Sequence, residues 1–155
     1  MKKTAKALVD EAMAQVTTYT VEQARALHGH AGVQFVDVRD VRELEREGVI
    51  PGALHAPRGM LEFWVDPESP YHRDVFAQDK EYVLFCAAGW RSALATKTLM
   101  DMGLERVAHV EGGFTAWKEA GAPVADKAVK AEVAAKAEKA EKAEKTDKAA
   151  KAARA

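Results

Sequence analysis

The chain holds a single cysteine, Cys86, and its neighbours are of the kinds that make a thiol reactive. Cys86 closes the apolar run Tyr82-Val83-Leu84-Phe85 and is followed by Ala87, Ala88, Gly89, Trp90 and Arg91, with a helical pattern from Ser92 onward. A loop of small residues leading from a strand into a helix aims backbone N–H groups at one point, a cradle for an anion or a thiolate. Ala87, Ala88 and Gly89 keep side chains out of that cradle, and Gly89 also allows backbone angles closed to other residues. Arg91 adds a fixed positive charge beside it. A lone cysteine is commonly a small buried hydrophobe. The conjunction of strand, cysteine, small residues, glycine, arginine and helix points instead to a functional thiol, placed where a nucleophile would be useful.

Other residues offer weaker signals. Asp37 and Arg39 end a second strand on the same sheet edge as Cys86, so Asp37 could accept hydrogen bonds from the cysteine loop. The alternative, which we favour, is a supporting ion-pair role, for example Arg39 with Glu43. Arg58 follows a proline-rich loop and could reach a bound anion, although a solvated arginine is the commoner fate. Phe63 and Trp64 line a pocket or join the core, and Trp117 reads as core. His28 and His30 flank a glycine, but no further ligand stands at metal-site spacing, so no metal is expected. No Gly-x-Gly-x-x-Gly or P-loop pattern occurs, and no cofactor is expected.

The elements that must position these residues alternate. Residues 4–16 have helical apolar spacing with Thr4 as a cap. Thr20 and Gln23 have capping-box spacing ahead of a helix over 21–28. Residues 33–38 form a β-branched, buried strand, and 40–47 a charged helix. Residues 48–59 carry three glycines and two prolines and read as loop, with an extended piece at 54–56. A helical turn at 60–66 and a helix ending near Gln78 follow. Residues 81–86 make a second buried strand, 92–103 a helix stopped by Gly103, 106–110 a third strand, and 114–121 a last helix. Strands alternating with helices predict an α/β fold with a mainly parallel sheet.

Size and charge restrict what the protein does. Its 155 residues suit one domain with a real core. Lys plus Arg number 23 and Asp plus Glu 24, a formal charge of −1, which argues against nucleic acid or an anionic membrane as the main partner. One cysteine excludes an internal disulfide framework. No apolar run is long enough for a membrane span, and no apolar segment follows the initial Met-Lys-Lys, so a cytoplasmic protein with a free thiol is expected. Of 31 alanines, 12 lie within 126–155, a stretch with nine Lys/Arg, six Asp/Glu and no aromatic residue. That tail carries +3 and residues 1–125 carry −4. Its i, i+4 pairs, Glu138–Lys142, Glu141–Lys145 and Glu144–Lys148, favour partial helix, but nothing in it buries a core. The expected organisation is an N-terminal helix over 1–16, a folded domain over 17–125 and a solvated, partly helical or disordered extension over 126–155.

Four segments in order now carry a resemblance. CAAGWRS (86–92) resembles the active-site loop of rhodanese-homology domains, a family of sulfurtransferases. FVDVRD (35–40) resembles the family's Asp-Val-Arg signature, GVIPGALHAP (48–57) its Gly-His-Ile-Pro-Gly-Ala loop, and VEGGFTAWKEAG (110–121) its closing Gly-Gly…Trp motif. The resemblance runs from about Tyr19 to Gly121. It implies a three-layer α/β/α fold around a five-stranded, mainly parallel sheet whose first strand lies near Thr18 and Tyr19. It also implies sulfur transfer through a persulfide on Cys86. The donor is one such as thiosulfate. The acceptor is cyanide in assay and a thiol in the cell, with a protein acceptor as an open alternative. The N–H groups of 87–91 would hold the outer sulfur and the donor's anionic end, and Arg91 would help bind the donor oxyanion. Four residues separate Cys86 from Arg91, whereas related phosphatases use five to surround a tetrahedral phosphate or arsenate. The tighter loop suits sulfur. Two features depart from the family pattern: Val49 replaces a common histidine, and the stretch from Asp37 to Gly48 is one residue longer. Trp90 either packs over the mouth and restricts donors or points to solvent. The rival reading is a non-catalytic persulfide carrier or redox-sensing binding module.

Overall fold

The structure, a computed structural model, describes residues 1–127. Five strands, β1 (Thr17–Tyr19), β2 (Val33–Asp37), β3 (Leu54–His55), β4 (Glu81–Phe85) and β5 (Val107–Val110), form one sheet in the order β1-β5-β4-β2-β3. Every pairing between them is parallel. The β-branched and aromatic runs become the interior strands because parallel strands are covered on both faces. Tyr82, Val83, Leu84 and Phe85 of β4 are all buried.

Alternation along the strands divides the core in two. Val36, Leu84 and Cys86 pack with Leu61 and Val65 of α4 (Leu61–Val65) and with Ala95 and Leu99 of α5 (Trp90–Asp101). Phe35, Val83, Phe85 and Val110 pack on the other face with Ala24 of α2 (Val21–Leu27) and with Phe114 and Trp117 of α6 (Gly113–Glu119). These layers are the expected α/β/α arrangement. An N-terminal helix, α1 (Ala5–Met13), is capped by Thr4 and packs Val9 and Ala12 against Ala93 of α5. Thr20 and Gln23 form the anticipated capping box of α2. Asp40 and Glu43 form a second one at α3 (Val41–Glu47).

From β2 the chain moves outward to β3, then returns to place β4 on the other side of β2. That reversal opens a crevice at the carboxyl ends of β2 and β4, the usual ligand position in an open α/β sheet. Asp37 and Phe85 are register partners there, so beyond them Val38 stands beside Cys86 and Arg39 beside Ala87.

Some boundaries differ from expectation. Helix α5 begins at Trp90 rather than Ser92, because Gly89 takes a left-handed conformation (φ 112°) as its cap. Trp90 and Arg91 therefore belong to the first helical turn. The helix anticipated before Gln78 is a short 3-10 turn, Asp74–Ala77. Helix α1 stops at Met13 since β1 begins four residues later. The tail pairs at 138–148 lie outside the described residues.

Candidate active site

Cys86 directly follows β4 and is 1% exposed. Its Sγ accepts from the backbone N–H of Gly89 at 3.1 Å and of Ser92 at 3.4 Å. The Ser92 hydroxyl oxygen stands 3.5 Å from the same sulfur. The left-handed Gly89 turns its own N–H inward while its carbonyl starts α5 by accepting from Ala93. Sulfur thus faces two backbone donors and a hydroxyl, an arrangement suited to negative charge.

The loop is pinned from behind by the start of α6. Phe114 N–H donates to the Cys86 carbonyl at 2.8 Å and Thr115 N–H to the Ala87 carbonyl at 3.0 Å. Approach this close requires glycine: a Cβ on Gly113 (φ 58°) would lie 2.3 Å from the Cys86 carbonyl oxygen and 2.8 Å from the Ala87 carbonyl. The sequence places Gly112 and Gly113 in the closing Gly-Gly…Trp motif without assigning them a contact with the cysteine loop. The adjacent glycines, preceding a helix, were the signal for a close backbone approach.

At its far end the loop is held by an ion pair. Arg91 Nη1 and Nη2 donate to the two carboxylate oxygens of Glu43 at 2.8 and 2.9 Å. Hydrogen bonding to Arg91 pulls Glu43 from its ordinary 4.5 down to about 2, and the same bond raises Arg91. The guanidinium expected to face a donor oxyanion is thus engaged with Glu43.

The ion pair suggested for Arg39 and Glu43 is corrected by the same geometry. Arg39 pairs with Asp37 instead, through Nε at 3.0 Å and Nη2 at 2.7 Å, and both side chains are 1% exposed. The Arg39 backbone N–H also donates to Asp37, and Nη2 reaches the Gly48 carbonyl at 2.8 Å. The guanidinium lies 4.0 Å over the Phe114 ring. In this arrangement Asp37 takes its hydrogen bonds from Arg39 rather than from the cysteine loop. A cleft of about 480 Å³ beside the loop is lined by Ala87, Arg39, Glu43 and Phe114, among others.

Remaining candidates scatter. Arg58 bonds Glu62 and reaches Thr98 Oγ1, seven residues beyond Arg91 and so about 10 Å along α5. Trp90 is 54% and Phe63 51% exposed, while Trp64 is partly buried beneath the Arg73 guanidinium. Trp117 is core, its Nε1 donating to the Pro123 carbonyl. His28 Nε2 bonds the Pro51 carbonyl and its ring meets Phe35 and Trp117 edge-on, whereas His30 is exposed. Ser92 and His109 were not singled out from sequence. His109 is the one polar residue in the strand Val107–Val110, which was the available signal.

A family model of the Rhodanese-like domain matches residues 20–120. A sulfurtransferase of Allochromatium vinosum is 33% identical over 92 residues, 59% of this chain and 78% of that one. The polysulfide-sulfur transferase homodimer of Wolinella succinogenes superposes with a TM-score of 0.60 at 33% identity, over 79% of this chain and 87% of that one. A Rhodopseudomonas palustris protein of unknown function, described as a possible tyrosine phosphatase, superposes with a TM-score of 0.79 at 53% identity, over 81% of this chain and 96% of that one. The chain belongs to the rhodanese-like domain family, and the family supports a sulfurtransferase in general.

Proposed function

We propose that this protein transfers sulfane sulfur through a persulfide on Cys86. In the first step the Cys86 thiolate attacks the outer sulfur of a donor such as thiosulfate. A new S–S bond forms, the donor's S–S bond breaks, and sulfite leaves with that bond's electron pair. In the second step a nucleophile, cyanide in assay or a thiolate in the cell, attacks the outer persulfide sulfur and Cys86 leaves as thiolate. No external oxidant is consumed and no cofactor is invoked. The observation that carries the reading is the position of Sγ at the carboxyl end of β4, facing the N–H groups of Gly89 and Ser92. Donors fixed in place before reaction stabilise charge on sulfur without reorganising.

The remaining loop N–H groups, from Ala87 to Arg91, are assigned to the outer sulfur and the donor's anionic end. Asp37 and Arg39 shape the crevice, and Arg91 acts by fixing the loop. Small donors, thiol acceptors and a protein acceptor all fit this scheme, in a reducing cytoplasmic setting that keeps the thiol free. Neither a nucleic acid nor a membrane is assigned as partner.

Phosphatase chemistry is suggested by the description of the Rhodopseudomonas relative. It is disfavoured by the four-residue spacing of Cys86 and Arg91 and by the commitment of Arg91 to Glu43. Thiocyanate production from thiosulfate and cyanide, assayed beside phosphate release from p-nitrophenyl phosphate, separates the two. Persulfide formation without turnover would instead favour a carrier whose acceptor is a protein.

A further inference from the structure

Behind Cys86 runs a line of buried polar groups that a hydrophobic core does not need. His109 of β5 is 1% exposed, and both ring nitrogens are occupied. Nδ1 lies 3.1 Å from Ser92 Oγ and Nε2 lies 3.0 Å from Thr18 Oγ1. Ser92 Oγ is in turn 3.5 Å from Cys86 Sγ and 3.3 Å from the Gly89 carbonyl. Register explains the alignment, since His109 is the partner of Thr18 on β1 and of Leu84 on β4. Thr18, His109, Ser92 and Cys86 thus connect the sheet edge to the sulfur across four segments. Burying this many polar groups costs free energy unless each is bonded, so the line resists random substitution.

A neutral imidazole has one N–H and one bare nitrogen. Burial pulls His109 from 6.5 down to about 4, so the ring is neutral at neutral pH and does not store the thiol proton. Its available role is orientation. We propose that His109 is a positioning residue for Cys86, presenting its Nδ1–H to Ser92 Oγ so that the serine hydroxyl hydrogen is free to point at the anionic sulfur.

When Sγ carries its proton, S–H donates to Ser92 Oγ, and the hydroxyl hydrogen turns to the Gly89 carbonyl or to a bare Nδ1. When Sγ is anionic, Ser92 O–H donates to it, Nδ1–H fills the serine lone pair, and Nε2 accepts from Thr18 O–H. The ring stays neutral in both states. Where Nδ1 starts bare, the thiol proton passes to Ser92 Oγ, the serine's own hydroxyl proton passes to Nδ1, and the Nε2 proton leaves through half-buried Thr18 to solvent, so one proton is lost in all and the ring ends neutral.

This inference rests on the reading of Cys86 as a thiolate nucleophile, but its test does not use sulfur transfer. The rate of Cys86 alkylation by iodoacetamide would be followed across pH by intact mass in wild type, His109→Leu, His109→Asn, His109→Gln and Ser92→Ala. The Asn amide nitrogen overlays Nδ1, and the Gln amide nitrogen overlays Nε2. His109→Leu and His109→Gln should lower the rate at neutral pH about tenfold and move the midpoint of the profile up by about one pH unit. His109→Asn should stay near wild type. Adding His109→Leu to Ser92→Ala should change nothing further. Arg91 with Glu43 and Asp37 with Arg39, the charged pairs around the loop, are untouched by these substitutions. Urea unfolding confirms which variants fold, and if His109→Leu does not, the Asn and Gln pair decides. Equal rates in Asn and Gln variants, or a wild-type rate in folded His109→Leu, would overturn the proposal. Absence of thiocyanate turnover with the alkylation pattern intact would overturn the sulfurtransferase reading and leave this one standing.

Discussion

Arg91 and Glu43 meet through two parallel N–H···O bonds, 2.8 and 2.9 Å long, although 48 residues separate them in sequence. The pair ties the first turn of α3 to the first turn of α5. The N–H groups of Phe114 and Thr115, brought close by Gly113, hold the cysteine loop from the α6 side, and Arg91 holds its end from the α3 side. The charge expected to face substrate is bonded to Glu43 in the folded chain, and we assign it to the frame of the cradle.

Glu43→Gln should weaken that frame modestly. The Arg91 side chain is 41% exposed, so the loss at neutral pH should be about 1 kcal/mol. The pH dependence is more telling. Glu43 is held at about 2 when folded against an ordinary 4.5, so its contribution is complete above 4.5 and is lost as pH falls toward 2. Urea midpoints of wild type and Glu43→Gln should differ at neutral pH and converge through this window. A gap that stays constant with pH would contradict the assignment.

Asp37→Asn should be far more damaging. It leaves the Arg39 guanidinium buried without its countercharge, at a cost of about 3–5 kcal/mol. Asp10→Asn, which breaks the exposed Lys6–Asp10 pair, should cost under about 0.5 kcal/mol. Urea unfolding of the two variants tests the contrast, and equal losses would contradict it.

Much of this was legible beforehand, and what was missed has a common cause. β4 is apolar from Tyr82 to Phe85 and β2 is rich in β-branched and aromatic residues, because both faces are covered, so composition reveals them. Thr4 and Thr20 cap helices through neighbours three residues away, a spacing visible in any sequence. By contrast, Arg39 with Asp37 rather than Glu43, and Glu43 with Arg91, depend on how α3 and α5 approach across the sheet. The partner of His109 likewise depends on register between strands far apart in the chain. Local spacing singles out Cys86, the proposed nucleophile, and its loop, but not the side chains that reach the loop from other elements.

Gly113→Ala should disable the site, since its Cβ would fall 2.3 Å from the Cys86 carbonyl oxygen. Relieving that contact shifts the cradle, so turnover should fall more than about a hundredfold, with a stability loss above about 2 kcal/mol. Gly52→Ala is the control. Its φ is also positive (80°), but a Cβ there meets nothing within 4 Å, so a cost of about 1–2 kcal/mol and near-normal turnover are expected. Equal effects on turnover would contradict a close-approach role for Gly113.

Trp90→Ala should leave stability within about 0.5 kcal/mol, because the side chain is half exposed. The groups that face sulfur are the backbone of Gly89 and Ser92 and the Ser92 hydroxyl, so kcat/KM for thiosulfate should change by less than about threefold. A large rise in KM would instead make Trp90 a donor contact.

The central claim is that Cys86 carries sulfur, and intact-mass spectrometry of the protein after incubation with thiosulfate, without cyanide, tests it most directly. The account predicts a gain of one sulfur atom in the wild type, its removal on adding cyanide with matching thiocyanate release, and neither signal in Cys86→Ala. A folded, reduced wild-type sample that gains no sulfur, or a Cys86→Ala variant that still releases thiocyanate, would contradict it.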